Sequence, residues 1–400
     1  MTFKVKTKGQ IEGEELLVPK LRFKEFNSEY KKYKIGDTLK VKSGKDQKSI
    51  ECINGTYPIL GTGGQIGTTN SFLYDKPSVL IGRKGTINKP QYMTTPFWTV
   101  DTLFYTDIKE EFNTKYIFYA FQNINWKKYD ESTGVPSLSC KTIEEILYYI
   151  PNKDEQDKIS TFITLLDKKI ELQKKKIETL KIYKTGLFNK IYKEKLNDIK
   201  ESKLREYAYL QGGYAFKSEL FSKKGTPIIR IANINENIVD LKDVVFYDKE
   251  IPINFKFEIN TGDILIAMSG ATTGKIGIYK EKMKSYLNQR VGKIVLKRKD
   301  MIYSYLYFLF ELSSYNMQLN TKLVAGAQPN ISPTDIENLK FKIPSIKLQE
   351  HIANIVMNIN KKLEIEGNKL QELNELKNVK RPEVIKSLKE AIITENVYIE

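Results

Sequence analysis

Pro136-Ser137-Leu138-Ser139 returns as Pro329-Asn330-Ile331-Ser332, displaced by 193 positions. The same offset carries Ile143-Glu144 onto Ile336-Glu337, Ile150-Pro151 onto Ile343-Pro344, Gln156 onto Gln349 and Ile159 onto Ile352, with no insertion between them. A long internal repeat means that one structural unit is written twice, and it outranks local propensities in fixing the architecture. Farther upstream the echo loosens but keeps its order. Tyr57-Pro58-Ile59 matches Thr226-Pro227-Ile228, and Val79-Leu80-Ile81 matches Ile264-Leu265-Ile266, with a glycine-rich turn after each of the latter runs. Tyr116-Ile117-Phe118-Tyr119-Ala120-Phe121 then matches Tyr305-Leu306-Tyr307-Phe308-Leu309-Phe310. Loops that diverge over a shared scaffold produce this pattern. The last pair carries apolar residues at helical spacing and predicts one closing helix per globular unit.

A heptad pattern follows each unit. Ile159, Ile163, Leu166, Ile170, Gln173, Ile177, Leu180, Lys184, Leu187 and Ile191 alternate steps of four and three. Ile352, Val356, Ile359, Leu363, Glu366, Leu370, Leu373 and Lys377 repeat the seam, with polar breaks again at the fifth and eighth places. Such a seam fits two helices pairing as a coiled coil, or two amphipathic helices each packed on its own unit. The repeated polar breaks favour pairing, because a polar seam residue fixes register at a cost in stability. A seam of ~30 residues would be ~45 Å long at 1.5 Å per residue. Pro382 is expected to end the second seam early. Short β-branched runs such as Ser78 to Ile81, Ile228 to Ile231 and Val291 to Leu296 lie between Gly, Asn and Asp turns, so strands precede the closing helix and the units are mixed α/β.

Four hundred residues exceed what one core commonly holds, which sets an expectation of two domains. Sixty-five Lys and Arg against 49 Asp and Glu leave a formal charge of +16 and a pI near 9.3. That balance favours a polyanionic partner, nucleic acid first, although a solvated lysine-rich surface gives the same total. Cys52 and Cys140 have neither CxxC spacing nor a neighbouring histidine, and the single histidine, His351, completes no zinc set with them. The segment from Met1 to Glu15 is charged, and the longest apolar stretch, Met301 to Phe310, is too short to cross a bilayer. A cytoplasmic chain without membrane or metal is expected.

Phosphate and catalytic motifs fail one by one. Ser269-Gly270-Ala271-Thr272-Thr273-Gly274-Lys275 resembles a P-loop, but Ser269 occupies the first glycine position and Ile276 the Ser/Thr position that would touch magnesium. Gly61-Thr62-Gly63-Gly64 lacks the spacing of a dinucleotide fingerprint. No Asn/Asp-Pro-Pro-aromatic tetrapeptide of an amino-methyltransferase occurs. His351 falls where the other copy has Lys158, between seam residues, which points to a solvated helix face.

The residues resemble a known family, the specificity (DNA-recognition) subunits of Type I restriction-modification systems, over almost the whole chain. Val18-Pro19-Lys20-Leu21-Arg22-Phe23 is similar to the family's N-terminal entry. Tyr57 to Gly64 and Val79-Leu80-Ile81-Gly82-Arg83-Lys84-Gly85 resemble the first target-recognition domain. Arg230-Ile231-Ala232-Asn233-Ile234, Gly270 to Lys275 and Asn288-Gln289-Arg290-Val291 resemble the second. Ile150-Pro151 and Ile343-Pro344, with Gln156 and Gln349, resemble the two spacer regions. One departure is Asn88-Lys89 where the second copy has Gly274-Lys275.

The resemblance implies two similar α/β target-recognition domains joined by two long antiparallel coiled-coil helices with pseudo-twofold arrangement. Residues 1–150 would form the first recognition domain, 151–200 the first spacer helix, 201–343 the second recognition domain, and 344–400 the second spacer helix and tail. It implies a non-catalytic subunit that directs adenine methylation and cleavage by partners to a bipartite, gapped duplex DNA target. Two methyltransferase subunits using S-adenosylmethionine, and restriction/translocase subunits using ATP and Mg, would be the partners; the chain itself would need no cofactor. Two alternatives share these features: a solitary DNA-binding or decoy protein, and a helical scaffold for protein partners.

Within this frame, Arg83, Arg230 and Arg290 are candidates for base or groove contact, since Arg bonds guanine bidentately. Gln65, Asn233 and Gln289 could read adenine through their amides. Lys84, Lys89 and Lys275 are candidate phosphate contacts, with Gly85, Thr272, Thr273 and Gly274 letting the backbone approach. Each could equally be an ordinary turn or surface residue, the two glycines above all.

Overall fold

The computed structural model describes residues 22–235, 237–248, 253–323 and 330–385. Val18 to Leu21 of the entry segment and Pro329 of the repeated tetrapeptide lie outside them. The chain forms two compact units, one comprising the chain up to Lys174 together with the chain from Lys369, the other spanning Lys175–Asn368.

In the first unit, β1 (Lys31–Lys34), a one-turn helix α1 (Ile35–Thr38) and β2 (Leu39–Lys42) lead into β3 (Tyr57–Gly61), β4 (Gly64–Thr69), β5 (Ser78–Gly82), β6 (Gln91–Met93), β7 (Trp98–Thr99) and β8 (Leu103–Ile108). Helices α2 (Thr114–Phe121) and α3 (Cys140–Glu145) precede β9 (Leu147–Ile150), and α4 (Lys153–Lys190) begins at once. A four-stranded sheet of order β2-β8-β5-β6 stands beside a three-stranded sheet of order β4-β3-β7, and β1 pairs antiparallel with β9. Every residue of β5 is buried, as expected of a strand covered on both faces. The closing helix α2 inserts Tyr116, Ile117 and Phe121 into the core that Val79, Ile81 and Phe104 line.

The second unit repeats this plan with more strands. In order it contains β10 (Glu201–Lys203), β11 (Ala208–Gly212), β12 (Phe221–Ser222), β13 (Thr226–Ile229), β14 (Ile234–Asn235), β15 (Asn237–Val239), β16 (Val245–Tyr247) and β17 (Glu258–Ile259). Then come β18 (Ile264–Ala267), β19 (Ile276–Ile278), β20 (Ser285–Leu287), β21 (Val291–Leu296), α5 (Tyr303–Phe310), α6 (Ser313–Leu323), α7 (Pro333–Glu337), β22 (Lys340–Lys342) and α8 (Ile346–Ile385). The order β11-β21-β18-β19 reproduces β2-β8-β5-β6, the parallel pair β13–β20 reproduces β3–β7, and β10–β22 reproduces β1–β9. The matched sequence runs therefore occupy matched strands, and α2 and α5 are the two closing helices.

The residues at constant offset hold each long helix to its unit. Ser139 and Ser332 cap α3 and α7. Glu144 accepts the N–H of Val41 at 2.9 Å, and Glu337 accepts that of Leu210 at 3.0 Å. Gln156 accepts from the N–H of Asn113 at 2.9 Å and donates to the Pro151 carbonyl at 3.0 Å. Gln349 does the same with Ile302 at 3.1 Å and Pro344 at 2.9 Å, and also donates to the Asp300 carbonyl at 2.8 Å. Each glutamine, buried to within 2%, thereby ties the start of a long helix to the N-cap residue just before the closing helix, Asn113 or Ile302, at a helix end whose leading N–H groups have no partner within the helix.

Both long helices follow the heptad reading: α4 has 38 residues and α8 has 40. All the named seam residues are buried or half-buried, while His351 and Lys158 are exposed. In the second unit the two helices run antiparallel, since Lys176 pairs with Glu366 at 3.0 Å while Lys184 and Asn360 both converge on Glu311. In the first unit Lys377 pairs with Asp167 at 2.7 Å. Packing on the parent unit also occurs, because Ile159 and Ile163 enter the first core and Ile352 and Val356 the second. The end of α4 and the segment just past it behave differently from a spacer: Phe188 in the helix and Ile191, Tyr192 and Leu196 beyond it belong to the second unit's core. Pro382 does not end the helix, which is described through Ile385; the proline costs the helix one backbone hydrogen bond, and the residues on either side of it stay helical. No helix among the described residues is long and apolar enough to cross a membrane.

Candidate nucleic-acid interface

Three backbone segments meet at the C-terminal end of β5. The Thr102 carbonyl accepts the N–H of Arg83 at 2.8 Å, the Arg83 carbonyl accepts that of Leu138 at 2.9 Å, and the Pro136 carbonyl accepts that of Gly85 at 2.8 Å. Lys84 bridges to Ser137. The same junction recurs after β18: Arg290 accepts from Met268 at 2.9 Å, Met268 accepts from Ile331 at 2.8 Å, and Ser269 bridges to Asn330. Gly85 and Gly270 both have positive φ, +84° and +81°, a conformation that costs glycine nothing. These contacts equate Arg83 with Met268, Lys84 with Ser269, Asp101 with Gln289 and Thr102 with Arg290.

Around the first junction, Arg83 is half-buried, donating from Nη1 to the Asp101 carbonyl at 3.3 Å, with its guanidinium 5.9 Å from the Phe104 ring centroid. Lys84, Gly85 and Lys89 are exposed. Gln65 is exposed on β4 and donates to the Gly67 carbonyl at 3.2 Å; it lines a different recess, with Glu51, Asn54 and Ile66, so it is not part of the junction. In the second unit Gln289 and Arg290 are exposed on the turn before β21, and Lys275 is exposed just before β19. Strand pairing aligns Lys89 with Lys275, since Leu80 faces Gln91 and the equivalent Leu265 faces Gly277.

Several candidates serve the loop itself. Asn233, 2% exposed, accepts from the N–H of Arg230 at 3.0 Å and donates to the carbonyls of Asp240 at 3.0 Å and Lys242 at 3.4 Å. Its amide is consumed internally, so the expectation that it reads adenine is corrected to a loop-bracing role. Thr272 donates to the Ile231 carbonyl at 3.1 Å and Thr273 to that of Gly270 at 2.6 Å. Gly274 is buried at φ +80°, and a Cβ there would lie 2.1 Å from Leu319 Cδ2. Its glycine is required by packing rather than by approach of a ligand.

Sequence reading missed the wall of the first junction. Asp130 accepts from the Ser137 N–H at 2.9 Å, the Ser132 hydroxyl at 2.8 Å and the Ser132 N–H at 3.0 Å, which hold its carboxyl below the usual range. Glu131, lowered by hydrogen bonds from Thr142 and Ser139, lines a recess with Arg83 and Lys84. Burial pushes the Cys140 thiol in this wall upward, which does not favour a reactive thiolate. The only available signal was Ser and Thr spaced for turns and caps, which occurs in many loops. Among the described residues no cluster of His, Cys, Asp and Glu could hold a metal.

Twice-built loop junctions at strand ends, on units that long helices grip by the same residues, define a duplicated recognition protein. A family model, the Type I restriction modification DNA specificity domain, matches residues 27–181 and again residues 197–375, and the chain belongs to that family. It is 25% identical over 284 residues to the specificity subunit of the Type I restriction enzyme MjaVIII from Methanocaldococcus jannaschii, covering 66% of this chain and 67% of that one. It is 32% identical over 136 residues to the EcoBI specificity subunit of Escherichia coli, covering 33% and 28%. The fold is that of the S subunit of a Type I restriction-modification system from M. genitalium, with a TM-score of 0.64 at 18% identity over 92% of this chain and 98% of that one.

Proposed function

We propose that the chain is the non-catalytic, DNA-reading subunit of a Type I restriction-modification complex in the cytoplasm, each unit reading one half of a gapped duplex target. The repeated loop junction carries this reading: two equivalent polar surfaces, with different side chains at equivalent places, suit two different half-sites. Arg83, Arg290 and Gln289 present free donors and acceptors to base edges, Gln65 extends the first surface, and Lys89 and Lys275 meet phosphates and set position. Residues 1–150 and 201–343 serve as the recognition domains. The helices of residues 151–200 and 344–400 act as spacers on which two methyltransferase subunits dock, joined by restriction/translocase subunits. S-adenosylmethionine, ATP and Mg belong to those partners.

Mapping methylated adenines in the host genome, with and without the gene for this chain, tests the reading. A gapped motif methylated only in its presence is expected, and co-purification of methyltransferase subunits separates it from a solitary or decoy protein. A genome whose methylation does not change on deletion, although the assembled complex is made, would rule the reading out.

A further inference from the structure

Two opposite charges share one recess of the first unit without pairing. Arg83, Phe104 and Glu131 line the same space, about 300 Å³, beside the loop junction. Arg83 is held on one side: Nη1 donates to the Asp101 carbonyl at 3.3 Å and the guanidinium lies over the Phe104 ring, while Nε and Nη2 have no partner among the described residues. Glu131 is held on the other. Its N–H donates to the Ser137 carbonyl at 3.0 Å, and Ser137 in turn bridges to Lys84. Its Oε1 accepts from Ser139 Oγ at 2.9 Å and from the Thr142 hydroxyl, which keeps the carboxyl ionised, and neither Arg83 nor Lys84 is among the groups that act on it. Oε2 is therefore an oriented, charged acceptor with no partner among the described residues, on an exposed side chain that a ligand can reach.

An acid on a surface that meets duplex DNA repels the phosphates of every sequence, so it lowers affinity unless a donor on the duplex meets it. The donor has to lie beside acceptors, because the free N–H groups of Arg83 face the same recess. A G·C pair offers that order in the major groove, N7 and O6 of guanine as acceptors and then the N4 amino group of cytosine as donor; an A·T pair sets its one donor between two acceptors. The arrangement belongs to the first unit alone, since Met268 stands in the second where Arg83 stands in the first.

From this we infer that Glu131 is a specificity-determining residue of the first unit, its Oε2 accepting from the N4 amino group of a cytosine while Arg83 donates to N7 and O6 of the paired guanine. The inference rests on the DNA-reading function above. Its test measures binding of the full chain, assembled with its methyltransferase partner, to duplexes that carry the mapped target with each base pair changed in turn. Glu131→Ala should weaken the intact target about tenfold, remove the preference at one G·C position of one half-site, leave the other half-site unaltered, and bind a scrambled duplex as well as or better than the wild type. Glu131→Gln should lose at least as much: Ser139 and Thr142 keep the amide oxygen, so the free end becomes a donor facing a donor. Base analogues then separate the two side chains. The wild type should lose about tenfold when that cytosine lacks its amino group and again when the guanine carries carbon in place of N7; Glu131→Ala should be insensitive to the first change only, and Arg83→Ala to the second only. A Glu131→Ala protein that keeps wild-type preference at every position, one that still responds to loss of the amino group, or a mapped target with no G·C pair in either half-site overturns the inference and leaves DNA reading intact. A wild-type assembly that does not distinguish the mapped target from the scrambled duplex overturns both.

Discussion

Replacing Gln349 by Met keeps the length and volume of a buried side chain and removes only its polar atoms. Three hydrogen bonds then disappear at once: Ile302 N–H to Oε1 at 3.1 Å, and Nε2 to the carbonyls of Pro344 at 2.9 Å and Asp300 at 2.8 Å. Gln349 is 0% exposed, so water cannot take the vacated places without opening the joint between α5 and α8. With about 1–3 kcal/mol for a buried group left unsatisfied, and carbonyls at the low end, the loss should be about 3–5 kcal/mol. Gln156→Met strands two groups instead of three and should cost about 2–4 kcal/mol. Urea unfolding of the full chain need not be two-state in a protein of two units. Amide hydrogen exchange is therefore the sharper assay: protection should fall in α5 for Gln349→Met and in α2 for Gln156→Met, with the other unit unaffected. If Gln349→Met cost under about 1 kcal/mol and left α5 protected, the glutamine would not be what locks the helix to its unit.

Three further outcomes are expected. Glu311→Gln leaves Lys184, 11% exposed, without its carboxylate and should destabilise the second unit by about 3–5 kcal/mol, whereas Lys184→Met with Glu311→Leu should recover most of the loss; calorimetry of the three proteins checks this. Gly274→Ala, at φ +80° with Leu319 2.1 Å from the new Cβ, should cost about 2–4 kcal/mol from strain and overpacking, and an unchanged melting temperature would contradict the packing role. Deleting Gln173 to Thr179 together with Glu366 to Glu372 removes one heptad from each seam. Seven residues make two coiled-coil turns, so the seam stays in phase, and Lys176 and Glu366 leave together as a pair; if the helices set the separation of the half-sites, ~10 Å of shortening should shrink the methylated gap by at most ~3 base pairs, and an unchanged gap in an active variant would refute that spacing role.

The parts of the fold legible in the sequence are those where a side chain meets backbone from the other end of its unit. Gln156, Glu144 and Ser139 each satisfy a backbone group, so neither their identity nor their spacing to the long helix can drift, and the offset of 193 survives from Ser139 to Ile159. The strand runs keep their pattern for a weaker reason, burial, which accepts any β-branched or aliphatic residue; insertions between them go unpunished and the offset slides. The closing helices were legible because Tyr116 to Phe121 is apolar on more than one face, and in the structure five of those six side chains are buried. The long helices were read correctly as a seam but not in their extents, since nothing in the heptads says that Phe188 to Leu196 enters a globular core or that the helix passes Pro382.

The candidate site was less legible because exposure, which a binding residue needs, leaves no periodicity behind. Asn233 and Arg290 look alike as polar residues among loops, yet one has every amide group engaged within its own loop and the other stands free on a turn. Only the three-dimensional repeat separates them. Where a polar side chain bonds its own loop, a change in the other copy is absorbed by a different loop, as Gly64 shows by standing in for Asn233. Where it faces an external partner, the partner sets the constraint, and a loss in one segment must be made good by another. Divergence between the two units is therefore informative in itself: Thr102 against Arg290, Asp101 against Gln289 and Arg83 against Met268 differ at the junction, where two surfaces that read different half-sites would differ.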